Sequence, residues 1–191
     1  ACSWLRADSS VPAPTSAWAS PVLLVSKKSD SKNDRKKQRF CNDYRKLNAV
    51  TERDVYPMHR VQETLDSLSE AMYFSSLDLA AGFWQIPVSE EDRDKTTFSV
   101  RSGLYRWLVM PFGLINAPAS FQRLMNAVLA GLSWECALAY IDDIIIYSKT
   151  FEQHMIDLER VLERLDNANL KCRTEKCSFV TREIKYLSHI I

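Results

Sequence analysis

Asp142 and Asp143 sit between two apolar, strand-forming runs, Leu138-Ala139-Tyr140-Ile141 and Ile144-Ile145-Ile146-Tyr147. Adjacent carboxylates in such a setting repel each other, and loss of water adds to the cost. Either the pair serves a tight hairpin turn through local hydrogen bonds, or the turn faces a crevice where a divalent cation offsets both costs. Asp78 ends another apolar run, Tyr73-Phe74-Ser75-Ser76-Leu77, in the same way. If the two runs are neighbouring strands, three carboxylates converge on one point. An oxygen-only donor set suits Mg2+ or Mn2+ rather than zinc. Two such ions about 3.5–4 Å apart form the clamp used for in-line phosphoryl chemistry.

Other residues could complete a phosphate site. Between Lys27 and Arg39 there are seven basic residues against two acids, whereas Tyr140 to Asp166 holds seven acids against three bases. The two regions are either solvated faces or the two sides of a site where a phosphate-rich ligand meets bound cations. Lys27 or Lys28 faces Arg39 across the stem of a predicted hairpin, and the pair suits a triphosphate. Arg35, Lys36 and Lys37 are accounted for by a solvated loop. Phe83 and Trp84 follow Asp78 closely. They read either as core or as a wall for a sugar or base. Gly113, after Met110-Pro111-Phe112, lets a ligand approach the backbone. Cys172, Cys177 and His189 lack the further ligand pair that a zinc site needs.

The elements that must position these groups can be read from periodicity. Residues 1–20, rich in Ser, Ala and Pro, predict an irregular leader. Pro21–Ser26 and Arg39–Tyr44 predict a hairpin with a long charged tip. Val61, Leu65, Leu68 and Met72 predict a helix. Thr96–Val100 and Tyr105–Met110 predict a hairpin around Arg101–Leu104. A helix capped by Asn116 buries Phe121, Leu124, Met125, Val128 and Leu129. Thr150-Phe151-Glu152-Gln153 has the form of a capping box. It opens a helix with Phe151, Met155, Leu158, Leu162 and Leu165 on one stripe, ended near Asn167 and Asn169. Ser178–Val180 and Ile184–Leu187 predict two short strands. Helices mixed with short hairpins favour an α+β fold with an antiparallel sheet backed by helices.

Composition narrows the classes. With 46% hydrophobic and 26% charged residues among 191, the chain is neither disordered nor of low complexity. The net charge of +1 implies no polyanion partner by itself. No apolar run reaches the roughly 18 residues needed to cross a bilayer. Five scattered cysteines favour a reducing compartment. A start at Ala1, without an initiator Met or signal-peptide pattern, suggests a fragment of a longer chain.

Several motifs together resemble the reverse transcriptases of gypsy-type LTR retrotransposons. Ser76-Leu77-Asp78-Leu79-Ala80-Ala81-Gly82-Phe83-Trp84-Gln85-Ile86 resembles their first catalytic motif. Val109-Met110-Pro111-Phe112-Gly113-Leu114 with Asn116-Ala117-Pro118-Ala119-Ser120-Phe121-Gln122 resembles the central one, and Tyr140-Ile141-Asp142-Asp143 the aromatic-x-Asp-Asp box. Arg39-Phe40-Cys41-Asn42-Asp43-Tyr44-Arg45-Lys46-Leu47-Asn48 is similar to the fingers motif, and Lys185-Tyr186-Leu187-Ser188-His189 to the primer-gripping hairpin.

The resemblance covers residues 18–191 and implies a right-hand polymerase, fingers and palm only. Fingers are expected at about 18–60 and 86–116, and palm at about 61–85 and 117–191, behind an irregular leader at 1–17. The implied activity is primer extension on RNA or DNA with dNTPs and two Mg2+ ions, Mn2+ being a substitute. Asp78, Asp142 and Asp143 would hold the metals, assisted by the Leu79 carbonyl. Lys27 or Lys28 and Arg39 would meet the triphosphate, Phe83 would be the gate against a ribose 2′-OH, and Phe112 and Gly113 would line the nucleotide pocket. Asp43, Arg45 and Gln122 would lie along the template, with Tyr140 and Tyr186 at the primer. The partners implied are downstream thumb, connection and RNase H domains, with no membrane. The implied location is intracellular, in a cytoplasmic virus-like particle or the nucleus. The family pattern differs at the fingers tip, longer here from Asp30 to Gln38, and at Ser188, where Gly is usual. The alternative is a catalytically incomplete remnant that only binds nucleic acid.

Overall fold

Alternating β-branched and aromatic residues make the strands of this chain, and apolar residues three or four apart make its helices. The computed structural model describes residues 9–26, 38–58, 60–186 and 189–190. Along the chain run β1 (Ser10–Pro12), β2 (Val22–Ser26), β3 (Gln38–Asn42), α1 (Arg45–Val50), α2 (Val61–Leu68) and β4 (Tyr73–Asp78). Then follow α3 (Glu90–Arg93), β5 (Phe98–Val100), β6 (Gly103–Trp107), α4 (Ala117–Val128), β7 (Ala137–Tyr140) and β8 (Asp143–Ser148). The last are α5 (Phe151–Asn167), β9 (Ser178–Thr181), β10 (Lys185–Tyr186) and β11 (His189–Ile190). Two compact units result, one from the chain up to Arg53 with Ile86–Ala117, the other from Asp54–Gln85 with the chain from Pro118 onward.

In the first unit, β2 and β3 pair antiparallel from Val22↔Asn42 to Ser26↔Gln38, as expected of the hairpin stem. Its charged tip, with Lys27 and Lys28, lies outside the described residues. Phe40, Phe98 and Trp107 form an aromatic cluster with centroids 5.3–6.2 Å apart. Each such pair adds about 0.5–1.5 kcal/mol beyond simple burial. The leader departs from expectation, because Ser10–Pro12 pairs with Tyr105–Trp107 in the sheet β1-β6-β5. Pro12 is accommodated because β1 is an edge strand, where a missing N–H need not break a ladder.

The second unit is a four-stranded antiparallel sheet ordered β7-β8-β4-β9. Ile144, Ile145 and Ile146 of β8 are all 0% exposed, so both faces of that strand are covered. On α4, Phe121 and Met125 are buried as expected, and so is Leu129 just past its end. The other two helices correct the sequence reading. α2 ends at Leu68, and Met72 is exposed in the turn leading into β4. α5 is capped by Thr150, whose side chain accepts from the Gln153 amide. It buries His154, Asp157, Leu158, Val161 and Leu165, while Phe151, Met155 and Leu162 are exposed.

A polar chain fixes that rotation. Ser148 Oγ donates to Asp157 Oδ2 (2.7 Å), so it accepts from His154 Nδ1 (3.2 Å). His154 Nε2 then accepts from Ser75 Oγ (2.8 Å), which itself accepts from the Val180 amide (3.0 Å). Every bond is satisfied by one neutral tautomer. Protonation at Nε2 would leave Ser75 donating toward a donor. Burial accordingly holds the His154 imidazole below its usual value of 6.5, with the Asp157 charge opposing. A depressed histidine contributes stability that is present above its ordinary pKa and is lost as pH falls through the folded value. Circular dichroism melts should therefore show Tm falling below about pH 6.5. His154→Gln, less stable at neutral pH, should flatten that fall. A parent-like pH slope in the variant would assign the effect to other groups.

Candidate active site

Asp78 is the last residue of β4 and Asp143 the first of β8, and the antiparallel register sets them directly opposite each other. Such pairs place Cβ atoms about 4.5–5.5 Å apart, and like charges there are destabilising. The β7–β8 hairpin closes with Tyr140↔Asp143, so its turn is Ile141-Asp142. The pair Asp142-Asp143 was expected at the turn centre; the register moves Asp143 into the strand. The Leu79 amide donates to the Asp142 carbonyl (3.2 Å), tying the end of β4 to the turn. Gly82 passes close beneath it, where a Cβ would lie 3.0 Å from Asp142 Cβ and 3.2 Å from Phe121 Cζ.

The electrostatics follow from this crowding. Asp143 keeps accessible surface, yet its carboxyl is pushed above the usual range, first by the protein around it and then by the charges of Asp142 and Asp78. Lys176, at the approach to β9, donates from Nζ to Asp78 Oδ2 (2.9 Å). The two carboxylates and Lys176 line a cleft of about 250 Å³ with Tyr186. A larger cavity of about 720 Å³ opens around the opposite end of β8. There Lys149 pairs with Glu70, and Arg160 with Glu135 and Asp157, in a lining that also holds the acid Asp66.

The donor set fits a divalent cation. It consists of hard carboxylate oxygens that repel one another, and a cation already stands against Asp78 in the form of the Lys176 ammonium. Among the described residues no three carboxylate, His or Cys side chains yet form a cage around one point. Asp78 is instead paired with Lys176. The sequence offered no signal for Lys176, which lies two residues before β9.

The remaining expected residues separate into distinct groups. Phe83, in the short helical turn Gly82–Gln85, packs edge-on against Phe121 at 5.5 Å. Tyr140 is partly buried against the core. Gln122 and Tyr186, expected along the template and primer, are both buried. Gln122 is 0% exposed, with its carboxamide bonded to the β7–β8 backbone. Tyr186 is 3% exposed and packs in the core as a wall of the carboxylate cleft. In the first unit, Phe112 is exposed and Gly113 has φ +96°, where a side chain is strained. Asn48 of α1 clamps this loop, donating to the Gly113 carbonyl (2.8 Å) and accepting from the Ile115 amide (3.0 Å). Asn48 stands in the quoted fingers motif, but its role was not legible there. Asp43 and Arg45 form a fork at 2.7–3.1 Å that holds the Asp43 carboxyl down at about 2. Arg39 pairs with Val25 in the stem.

An antiparallel sheet carrying a hairpin of paired acids opposite a third is a polymerase palm, and solved structures agree. The foamy viral protease-reverse transcriptase dRH in complex with double-stranded DNA superposes with a TM-score of 0.85 at 25% identity, over 95% of this chain and 31% of that one. The foamy viral enzyme in complex with RNA/DNA hybrid matches with a TM-score of 0.85 at 24% identity, over 96% of this chain and 24% of that one, a likeness of fold. Residues 25–191 match the family Reverse transcriptase (RNA-dependent DNA polymerase), and the chain belongs to that family. It is 45% identical over 92% of its length to the retrovirus-related Pol polyprotein from transposon 297 of Drosophila melanogaster, and 38% identical over 92% to that from transposon gypsy. It spans only 16% and 17% of those polyproteins. No helix among the described residues is long and apolar enough to cross a membrane.

Lys176→Met tests the charge balance of the cleft. In chelator its Tm should fall by about 2 °C, the scale of a partly exposed ion pair. Saturating Mg2+ should then raise the variant's Tm more than the parent's in differential scanning fluorimetry. An equal Mg2+ response would show that Lys176 does not compensate these carboxylates.

Proposed function

We propose that this chain is the polymerising part of a retrotransposon Pol polyprotein, extending a primer on an RNA or DNA template with dNTPs. The observation that carries the reading is Asp78 set opposite Asp143, with Asp142 in the adjoining turn. The second unit acts as palm and the first as fingers, with thumb, connection and RNase H parts supplied by the remainder of the polyprotein.

The family uses divalent metal ions, and Asp78, Asp142 and Asp143, with the Leu79 carbonyl, are assigned to hold two Mg2+, for which Mn2+ can substitute. When bound, such ions polarise phosphoryl oxygens and stabilise the attacking and leaving oxygens of an in-line displacement. The chain's own residues orient the reactants. Phe83 excludes a ribose 2′-OH, and Tyr140 stands by the primer end. Lys27 or Lys28 with Arg39 neutralises the triphosphate, while Phe112 and Gly113 receive the incoming nucleotide. Arg45, held by Asp43, meets template phosphates and so positions the strand without reading its sequence.

Primer extension tests the carboxylates. Asp142→Asn and Asp78→Asn should each lower the rate by about 10²–10³-fold, the size of losing one pre-organised electrostatic element. Their far-ultraviolet spectra should stay native. Parent-like extension by either variant would remove that residue from the site. Phe83→Ala should narrow the preference for dNTPs over rNTPs by about 10- to 200-fold, the usual worth of a contact sieve. An unchanged incorporation ratio would place the gate elsewhere.

A further inference from the structure

The Ile141-Asp142 turn has an unexpected occupant. Ile141 has φ +57°, a left-handed conformation that a β-branched side chain resists. Two-residue hairpin turns with positive φ at their first position normally place Gly there. The turn must therefore be held from outside, and Gln122 is placed to hold it. Its side chain is 0% exposed. Oε1 accepts from the Ile141 amide (2.9 Å), and Nε2 donates to the Ala139 carbonyl (2.9 Å) and to Asn126 Oδ1 (3.0 Å). Asn126 Nδ2 in turn donates to the Tyr56 hydroxyl (2.8 Å). The Tyr56 ring lies under the Arg123 guanidinium at 4.8 Å, and Arg123 is paired with Asp54 (2.8 Å).

We infer that Gln122 is a positioning residue for polymerisation: the strut Tyr56–Asn126–Gln122 locks the strained Ile141 turn and thereby sets where Asp142 and Asp143 present their carboxylates. The inference rests on the reading of those two residues as metal-holding. Gln122 lies on α4, whose buried Phe121 and Met125 anchor it in the second unit. Both ends of its carboxamide are engaged, so the contact fixes the amide plane as well as the distance. A small displacement at a reacting centre has a large effect on rate, and the loss falls on kcat when the group acts in the transition state.

The test uses the whole chain with Gln122→Met, which keeps the volume and removes the amide. Amide hydrogen exchange by NMR should show Ile141 exchanging about tenfold faster, while amides of the β4 centre keep their protection. Primer extension should show kcat falling at unchanged KM for dNTP. Adding Ile141→Gly should restore much of kcat, because Gly takes positive φ without strain. Should Gln122→Met not fold, Tyr56→Phe removes only the outer bond and should speed Ile141 exchange about threefold. Unchanged Ile141 exchange, or faster exchange with unaltered kcat, would overturn the inference. Failure of Ile141→Gly to restore kcat would do the same, since a purely structural loss is not rescued by glycine. If the parent chain extends no primer even when joined to the remainder of the polyprotein, the polymerase reading fails, and exchange alone still decides whether the strut holds the turn.

Discussion

The pairing of Asp78 with Asp143 across two antiparallel strands is the constraint on which the second unit depends. Strand register is set by alternation, and a slip of one residue would send every side chain of β8 to the opposite face. With Ile144, Ile145 and Ile146 all buried, such a slip is prevented by the core itself. The apolar strand thus holds two like charges where, left to themselves, they would separate. The core sets the position of the acids, and the acids give that position its chemical use.

Several local features answer the crowding this creates. Lys176 supplies a positive charge at Asp78, Gly82 leaves room beside Asp142, and the Leu79 amide ties the two strand ends together. Farther along the sheet, the neutral His154 chain clamps α5 to β4 and β8 through serine hydroxyls. Its polar groups are satisfied in series, so burying them carries little penalty. The same sheet thus carries the crowded acids at one end of β8 and the hydrogen-bonded His154 chain at the other.

Much of this was legible from residue order. Asp78 at the end of one apolar run and Asp142-Asp143 between two others already located the carboxylates, because strands bury alternating or continuous apolar runs and leave acids at their ends. The hairpin stem at Val22–Asn42 and the cap at Thr150 were readable for similar local reasons. What was not legible depended on distant partners. The rotation of α5 is set by Ser75 and Ser148, which periodicity within the helix cannot sense. The strand at Ser10–Pro12 exists only because β6 offers an edge. Gln122 stood in a quoted motif and was read as a template contact, since nothing in its spacing reveals that its amide is buried against a hairpin. Ile141 misled in the opposite way, as its residue type argues against the backbone conformation it adopts.

The proposed function requires that a divalent cation relieve the crowded carboxylates. Manganese binding followed by electron paramagnetic resonance tests it without requiring turnover. Saturable binding to the parent chain, displaced by Mg2+ and lost in Asp143→Asn, is the predicted result. Equal binding by parent and variant, or none by the parent, would contradict it.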